Sequence, residues 1–236
     1  MNKNNNDQNT ITGHLTELRS RLIKSLIFVF IIFIFGYIFA EYIYSFLLEP
    51  YAKAVKNDGI ERRLIFTALH ETFITYLKLA FFVALLLGSP IFLTQMWKFI
   101  APGLYKNEKK ALLPYLIATP ILFLLGGMLV YYLVMPLAIK FFLSFETTGQ
   151  INNLPIQLEA KVNEYLSLIM RLIFAFGLSF QLPVLLNLLA RVGAIDSKYL
   201  KERRRYFIVI IFAAAAILTP PDPITQIGLA IPLLIL

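Results

Sequence analysis

The chain alternates between long apolar runs and short polar segments. Residues free of Asp, Glu, Lys and Arg form six runs: 25–40, 79–97, 111–139, 172–190, 206–221 and 223–236. An apolar run of about 18 residues can cross a hydrocarbon core about 30 Å thick as a helix. Runs 79–97, 111–139 and 172–190 meet that length, and 25–40 meets it when Leu22, Ile23 and Lys24 join, the lysine head reaching back to the interface. The last two runs are shorter; at about 1.5 Å per residue the fifth covers only about 24 Å. The sixth begins at Pro223 and stops at Leu236 inside an apolar segment, so a helix is expected whose end lies beyond the sequence given. The pattern predicts an all-α, polytopic integral membrane protein with six transmembrane helices. Their expected spans are 22–40, 73–97, 111–139, 165–190, 206–219 and 224–236, within one transmembrane domain over 12–236. Residues 1–11 are Asn-rich and polar and read as a disordered cytoplasmic tail. Leu15, Leu18 and Leu22 then fall at helical spacing with Glu17, Arg19 and Arg21 among them, which predicts an amphipathic surface helix leading into the first span. Segments 41–71 and 140–164 are long enough for short surface helices that Pro50 and Pro155 would interrupt or start.

Charge sets the orientation. Lys3, Arg19, Arg21 and Lys24 precede the first span; Lys98, Lys106, Lys109 and Lys110 follow the second; Arg191, Lys198, Lys201, Arg203, Arg204 and Arg205 follow the fourth. These alternate segments hold 14 of the 22 cations. In the intervening segments acids match or outnumber cations. Cations concentrate on the cytoplasmic side of a membrane, so the N-terminus is inside, and six spans return the C-terminus there.

Composition agrees. The chain is 58% hydrophobic and 15% charged, with a mean hydropathy of +0.72, far from soluble usage. The net charge of +8 is explained by membrane orientation and is no argument for nucleic acid. Cysteine is absent, which excludes disulfides and thiolate metal sites. The first apolar run follows more than twenty polar residues and no small-residue cleavage site follows it, so it reads as a retained span. No internal repeat is visible, which disfavours an inverted-repeat transporter.

Few polar residues call for a chemical reason. Glu108 is a lone acid among Lys98, Lys106, Lys109 and Lys110. It can neutralise those lysines, or accept a cationic ligand. Glu17 can pair with Arg21 one helical turn on, or accept an external guanidinium. Trp97, Phe99 and Tyr105 fit interfacial aromatics. Gln181 lies in the fourth span and needs a partner or a polar cavity, while Pro183 beside it predicts a kink or break. Asp222, in the turn Thr219-Pro220-Pro221-Asp222-Pro223, suits an N-cap for the last helix. Lys78 and Arg171 can snorkel from span ends. Catalytic patterns are missing: His70-Glu71 opens like a zinc-protease helix, but Ile74 stands where a second histidine is required. There is no glycine-rich phosphate loop and no nucleophile elbow. No enzyme activity, cofactor or metal is expected.

Four segments carry a resemblance. They are His14-Leu15-Thr16-Glu17-Leu18-Arg19-Ser20-Arg21, Phe99-Ile100-Ala101-Pro102-Gly103-Leu104-Tyr105-Lys106-Asn107-Glu108-Lys109, Phe174-Ala175-Phe176-Gly177-Leu178-Ser179-Phe180-Gln181-Leu182-Pro183 and Leu218-Thr219-Pro220-Pro221-Asp222-Pro223-Ile224-Thr225-Gln226. In their order and topology, over essentially the whole chain, the sequence resembles the TatC family, the core receptor subunits of the twin-arginine protein translocase. The resemblance implies six helices in a concave, glove-like bundle in a bacterial cytoplasmic (inner) membrane, with an organellar membrane also compatible. It implies that Glu17 and Glu108 contact the arginine pair of a precursor's signal peptide. Arg19, Phe99, Leu104, Tyr105 and Lys106 would belong to the same cytoplasmic site. It ties Gln181 and Gln226 to intramembrane docking of single-span TatA- and TatB-type subunits, and Pro50 and Asp222 to function on the outer side. It also implies self-assembly into a multimeric receptor and transport driven by the proton-motive force.

Physical reasoning supports the cytoplasmic pair. Two guanidinium groups need acceptors for forked, charge-assisted hydrogen bonds, which carboxylates supply and which lysine cannot exploit as a planar fork. Surrounding cations repel stray basic segments, adding specificity. The rival reading is a secondary transporter or ion-coupled permease using Gln181 as a midplane site, but none of the six charge-free runs offers a coupling acid. An intramembrane hydrolase lacks paired His or Asp within the spans.

Overall fold

A computed structural model describes residues 4–56, 62–100, 109–147, 154, 156–191, 203–219 and 221–235. Among them the chain forms nine α-helices: α1 Asn4–Ile38, α2 Ala40–Val55, α3 Glu71–Ile100, α4 Lys109–Leu129, α5 Met135–Leu143, α6 Val162–Ser179, α7 Leu182–Arg191, α8 Arg204–Leu218 and α9 Pro223–Ile235. A π-helical turn, Val130–Val134, joins α4 to α5 without interrupting the rod. No strand is present among the described residues; of two isolated bridges, Ile65 with Lys161 ties the two outer loops together and Thr147 with Ile156 closes the second loop on itself.

Four stretches have the length and hydropathy to cross a membrane: Leu18–Ile38, Glu71–Phe92, Ile117–Leu143 and Val162–Asn187. With α8 and α9, which pack on each other as a hairpin, they make the polytopic all-α architecture that hydropathy predicts. The buried share rises from 11% in the first stretch to 56% in the fourth, so α1 is the lipid-facing rim and α6 the centre. The core around α6 is built from Leu79, Phe123, Met135, Leu166, Ile169, Leu172, Phe176 and Leu229, all fully buried.

The helix α1 begins at Asn4, so the Asn-rich segment, the amphipathic segment and the first span form a single rod. A helix already nucleated extends at the cost of one residue per new hydrogen bond, which lets weak formers join a strong one. It packs antiparallel along α3. A Cβ on Gly36 would lie 3.2 Å from the Ala80 carbonyl oxygen, and one on Gly88 would lie 2.6 Å from Val29 Cγ2, so the glycines fix which residues stand level. The α4–α6 crossing is closer still: a Cβ on Gly126 would sit 2.8 Å from the Phe176 carbonyl oxygen and 3.0 Å from Gly177 Cα. Here backbone meets backbone, and only hydrogen fits between.

Pro50 stands inside α2 rather than interrupting it. Proline deprives the carbonyl four residues earlier, that of Phe46, of its helical donor. The hydroxyl of Tyr131, on the π-helical turn, donates to that same carbonyl at 2.8 Å. The Tyr131 ring stacks on Phe46 with centroids 4.5 Å apart and planes 5° apart. Tyr165 donates to the next carbonyl, Leu47, at 3.0 Å. Thus the carbonyl that Pro50 frees is satisfied by Tyr131, and Tyr165 adds a second anchor from the bundle to α2. Pro155 lies outside the described residues.

Candidate functional site

The expected site residues divide into a cytoplasmic end, positions within the spans and an outer face. At the cytoplasmic end, residues 17 and 19 lie on α1 and residue 99 on the last turn of α3. Arg19 is exposed. The side chains of Glu17 and Phe99 lie outside the description, as do Leu104, Tyr105, Lys106 and Glu108 entirely. The backbone register is informative by itself. Val29 stands level with Gly88 in an antiparallel pair. Twelve residues further along each helix, about 18 Å at the α-helical rise, residue 17 of α1 comes level with residue 100, where α3 ends.

In its cytoplasmic half the fourth span breaks. Helix α6 ends at Ser179, Phe180 and Gln181 form a turn, and α7 starts at Leu182. Pro183 explains the break, since it removes the donor for the Ser179 carbonyl. The half-buried Gln181 side chain fills the gap, its Nε2 donating to the Thr119 carbonyl at 3.0 Å and, more weakly, to the Gly177 carbonyl at 3.4 Å. It is a link between α4 and the broken span, with no charge to titrate. The Thr119 hydroxyl is fully buried and has no hydrogen-bond partner. Gln226 on α9 donates to the Phe212 carbonyl at 3.4 Å, tying α9 to α8.

On the outer face, Asp222 is buried and caps α9. Its carboxylate accepts from the Thr225 amide at 2.8 Å and from the Thr225 hydroxyl at 2.5 Å. Pro223 occupies the first helical position, where its missing N–H costs nothing. Pro50 borders a cavity of about 240 Å³ that also includes Glu49, Lys53, Tyr131, Tyr132 and Lys140. Glu49 is held below the usual carboxylate range, chiefly by its hydrogen bond from Lys53 and secondarily by the one from Tyr131.

One outer contact has no local signal in the sequence. Arg62 grips Glu146 with two bonds, 2.5 Å from Nη1 to Oε1 and 2.6 Å from Nη2 to Oε2. Glu146 also accepts from the Leu158 amide at 2.7 Å. The Arg62 bond, more than the opposing effect of desolvation, depresses the Glu146 pKa. This clamp joins two outer loops 84 residues apart. Charge complementarity between alternate segments was the only available signal, and it does not select partners. Among the described residues no cluster of three His, Cys, Asp or Glu could hold a metal.

Comparison with known proteins bears on the whole arrangement. The family described as "Sec-independent protein translocase protein (TatC)" matches residues 13–232. The TatC of Magnetococcus marinus is 47% identical over 226 residues, 96% of this chain and 80% of that protein. The TatC of Escherichia coli K12 is 36% identical over 227 residues, 96% of this chain and 84% of its own length. A crystal structure of the twin arginine translocase receptor TatC in DDM superposes with a TM-score of 0.76 at 37% identity, covering 94% of this chain and 95% of that one. On a match that runs through every span, the chain belongs to the TatC family of Sec-independent protein translocase proteins.

Proposed function

We propose that this chain is the receptor that engages the arginine pair of a precursor's signal peptide at its cytoplasmic end and nucleates a translocase with single-span TatA- and TatB-type subunits. The observation that carries the reading is the α1–α3 register. It brings the turn bearing Glu17 level with the end of α3, from which the segment holding Glu108 departs. Two carboxylates at one end of the bundle suit two guanidinium groups, each taking a forked pair of bonds. Arg19, Phe99, Leu104, Tyr105 and Lys106 would complete the wall, its cations Arg19 and Lys106 repelling competing basic segments. Gln181 and Gln226 serve partner docking, and Pro50 and Asp222 support the outer face. The membrane is the bacterial cytoplasmic membrane, several copies assemble, and the proton-motive force drives transport.

The test is co-purification with a twin-arginine peptide and its twin-lysine control, followed by cross-linking to Glu17→Ala and Glu108→Ala variants. Losing a charge-assisted acceptor should weaken recovery by at least about tenfold. Equal recovery of the lysine peptide, or undiminished cross-linking in both variants, would sink the assignment. The permease reading is not favoured: the acids of α3 and α6, Glu71 and Glu164, lie in their first turns at the outer edge rather than at mid-span.

A further inference from the structure

We propose that the cavity between α2 and the π-helical turn is a binding site for one anionic phospholipid of the outer leaflet, independent of the receptor reading above. The site sits at headgroup depth. Lys140 is in the last turn of α5, three residues before the end of the span Ile117–Leu143, and Lys53 is in the last turn of α2. Both lysines line the same cavity of about 240 Å³.

Charge selects the ligand class. Lys53 is paired with Glu49 at 2.6 Å yet its side chain remains 72% exposed. Lys140 is exposed and has no acidic partner among the described residues. Two ammonium groups and one carboxylate leave one surplus positive charge, the complement of a single phosphodiester. Lysine holds phosphate as a point charge with rotatable donors.

The surface below supplies the second half of an amphiphile's requirement. Ile121, Leu125, Met128 and Tyr132 are spaced by four, three and four residues, one face of a helix. All are exposed, at 51%, 47%, 53% and 70%. The stripe runs about 16 Å along the axis, close to the half-thickness of a core about 30 Å deep. It ends at Tyr132, which lines the cavity. The π-helical turn produces this meeting, because an extra residue in one turn swings the following segment relative to the stripe. A headgroup between Lys53 and Lys140 would thus lay one acyl chain along the stripe. Free phosphate offers the same headgroup chemistry but nothing for the stripe.

The experiment measures lipid retention by the purified chain, using native mass spectrometry after exchange into phosphatidylglycerol, phosphatidylcholine or lipid-free micelles with inorganic phosphate. The expected result is retained phosphatidylglycerol, little phosphatidylcholine and no phosphate adduct. Lys140→Gln should weaken retention about fivefold, as one lysine near a membrane surface does. The paired Lys53→Arg, Lys140→Arg variant should keep it. Protection of Lys140 from an amine-reactive reagent in phosphatidylglycerol vesicles, relative to phosphatidylcholine vesicles, gives the same answer without any substitution. Equal retention of both lipids, unchanged retention in Lys140→Gln, binding of phosphate alone, or cross-linking of a probe at Tyr132 to another protein instead of lipid would each overturn the proposal.

Discussion

The proline inside α2 makes a quantitative prediction. Pro50 leaves the Phe46 carbonyl without a helical donor, and Tyr131 supplies one at 2.8 Å. Replacing Tyr131 by Phe preserves the ring that stacks on Phe46 and deletes the hydroxyl alone. The same hydroxyl also donates to Glu49 at 3.1 Å, but Glu49 keeps Lys53 at 2.6 Å, so that loss is minor. Leaving a part-buried acceptor unsatisfied costs about 1–3 kcal/mol, and we expect about 1.5 kcal/mol for Tyr131→Phe, towards the lower end because α2 lies at the interface. In the Pro50→Ala background the amide at position 50 can bond to Phe46 directly. The penalty for Tyr131→Phe should then fall to about 0.5 kcal/mol, a coupling of about 1 kcal/mol in a double-mutant cycle. The assay is denaturant unfolding of the four proteins in detergent micelles. Tyr132→Phe, whose ring is 70% exposed, serves as control and should change stability by less than about 0.5 kcal/mol. An identical Tyr131→Phe penalty in both backgrounds would refute the idea that the hydroxyl replaces the missing amide.

Three further outcomes follow from the packing. Gly126→Ala drives a methyl to 2.8 Å from the Phe176 carbonyl oxygen, so α4 and α6 must separate; a loss of about 1–3 kcal/mol is expected in thermal unfolding. Asp222→Ala removes the α9 cap and should cost about 1–2 kcal/mol, with faster hydrogen exchange confined to the Thr225 turn. Glu146 has a folded pKa below its ordinary value of 4.5, so its contribution is complete above that value and disappears as pH falls through the depressed one. Unfolding measured across this acid range should show a smaller loss in Glu146→Gln, which has already forfeited the clamp, than in the natural chain, the remainder coming from other depressed carboxylates such as Glu49 and Glu71; an acid limb of equal size in both would exclude Glu146 as a source.

Hydropathy made the six-helix architecture legible because a bilayer imposes one length and one period on every span. It also located the fourth-span break, since Pro183 is a local signal with a local consequence. Local signals failed where the compensation is distant. Nothing near Pro50 announces that Tyr131 will satisfy the carbonyl it frees, so the sequence reads as an interrupted helix. The Arg62–Glu146 clamp was equally hidden, because its partners are joined by loop geometry and not by any periodicity. Gln181 was legible as a polar group needing a partner, yet the partner, a backbone carbonyl of α4, depends on how closely Gly126 lets the helices approach. Of the cytoplasmic site, the residue types came from the sequence, and the α1–α3 register adds that residue 17 and the end of α3 share one level.

The same accounting of polar groups separates a receptor from a conduit. In a low-dielectric setting each freed carbonyl or buried hydroxyl must find a partner within the protein. Here they do so locally: Ser89 donates to the Leu86 carbonyl that Pro90 releases, Thr75 to Glu71, Thr219 to Ala215, and Gln181 to Thr119. The first three bonds stay within their own helices and the fourth joins α4 to the broken span, so this polar capacity is consumed inside the protein; the buried hydroxyls of Thr119 and Tyr51 are left without a partner. A permease needs the reverse, a chain of polar groups left available to a moving ion at mid-span. On the outer face Lys53 is paired with Glu49, while Lys140 is exposed and has no acidic partner among the described residues. A scaffold that spends most of its interior polar groups on its own backbone is suited to binding other molecules rather than conducting ions, which is the physical requirement of a protein-translocase subunit.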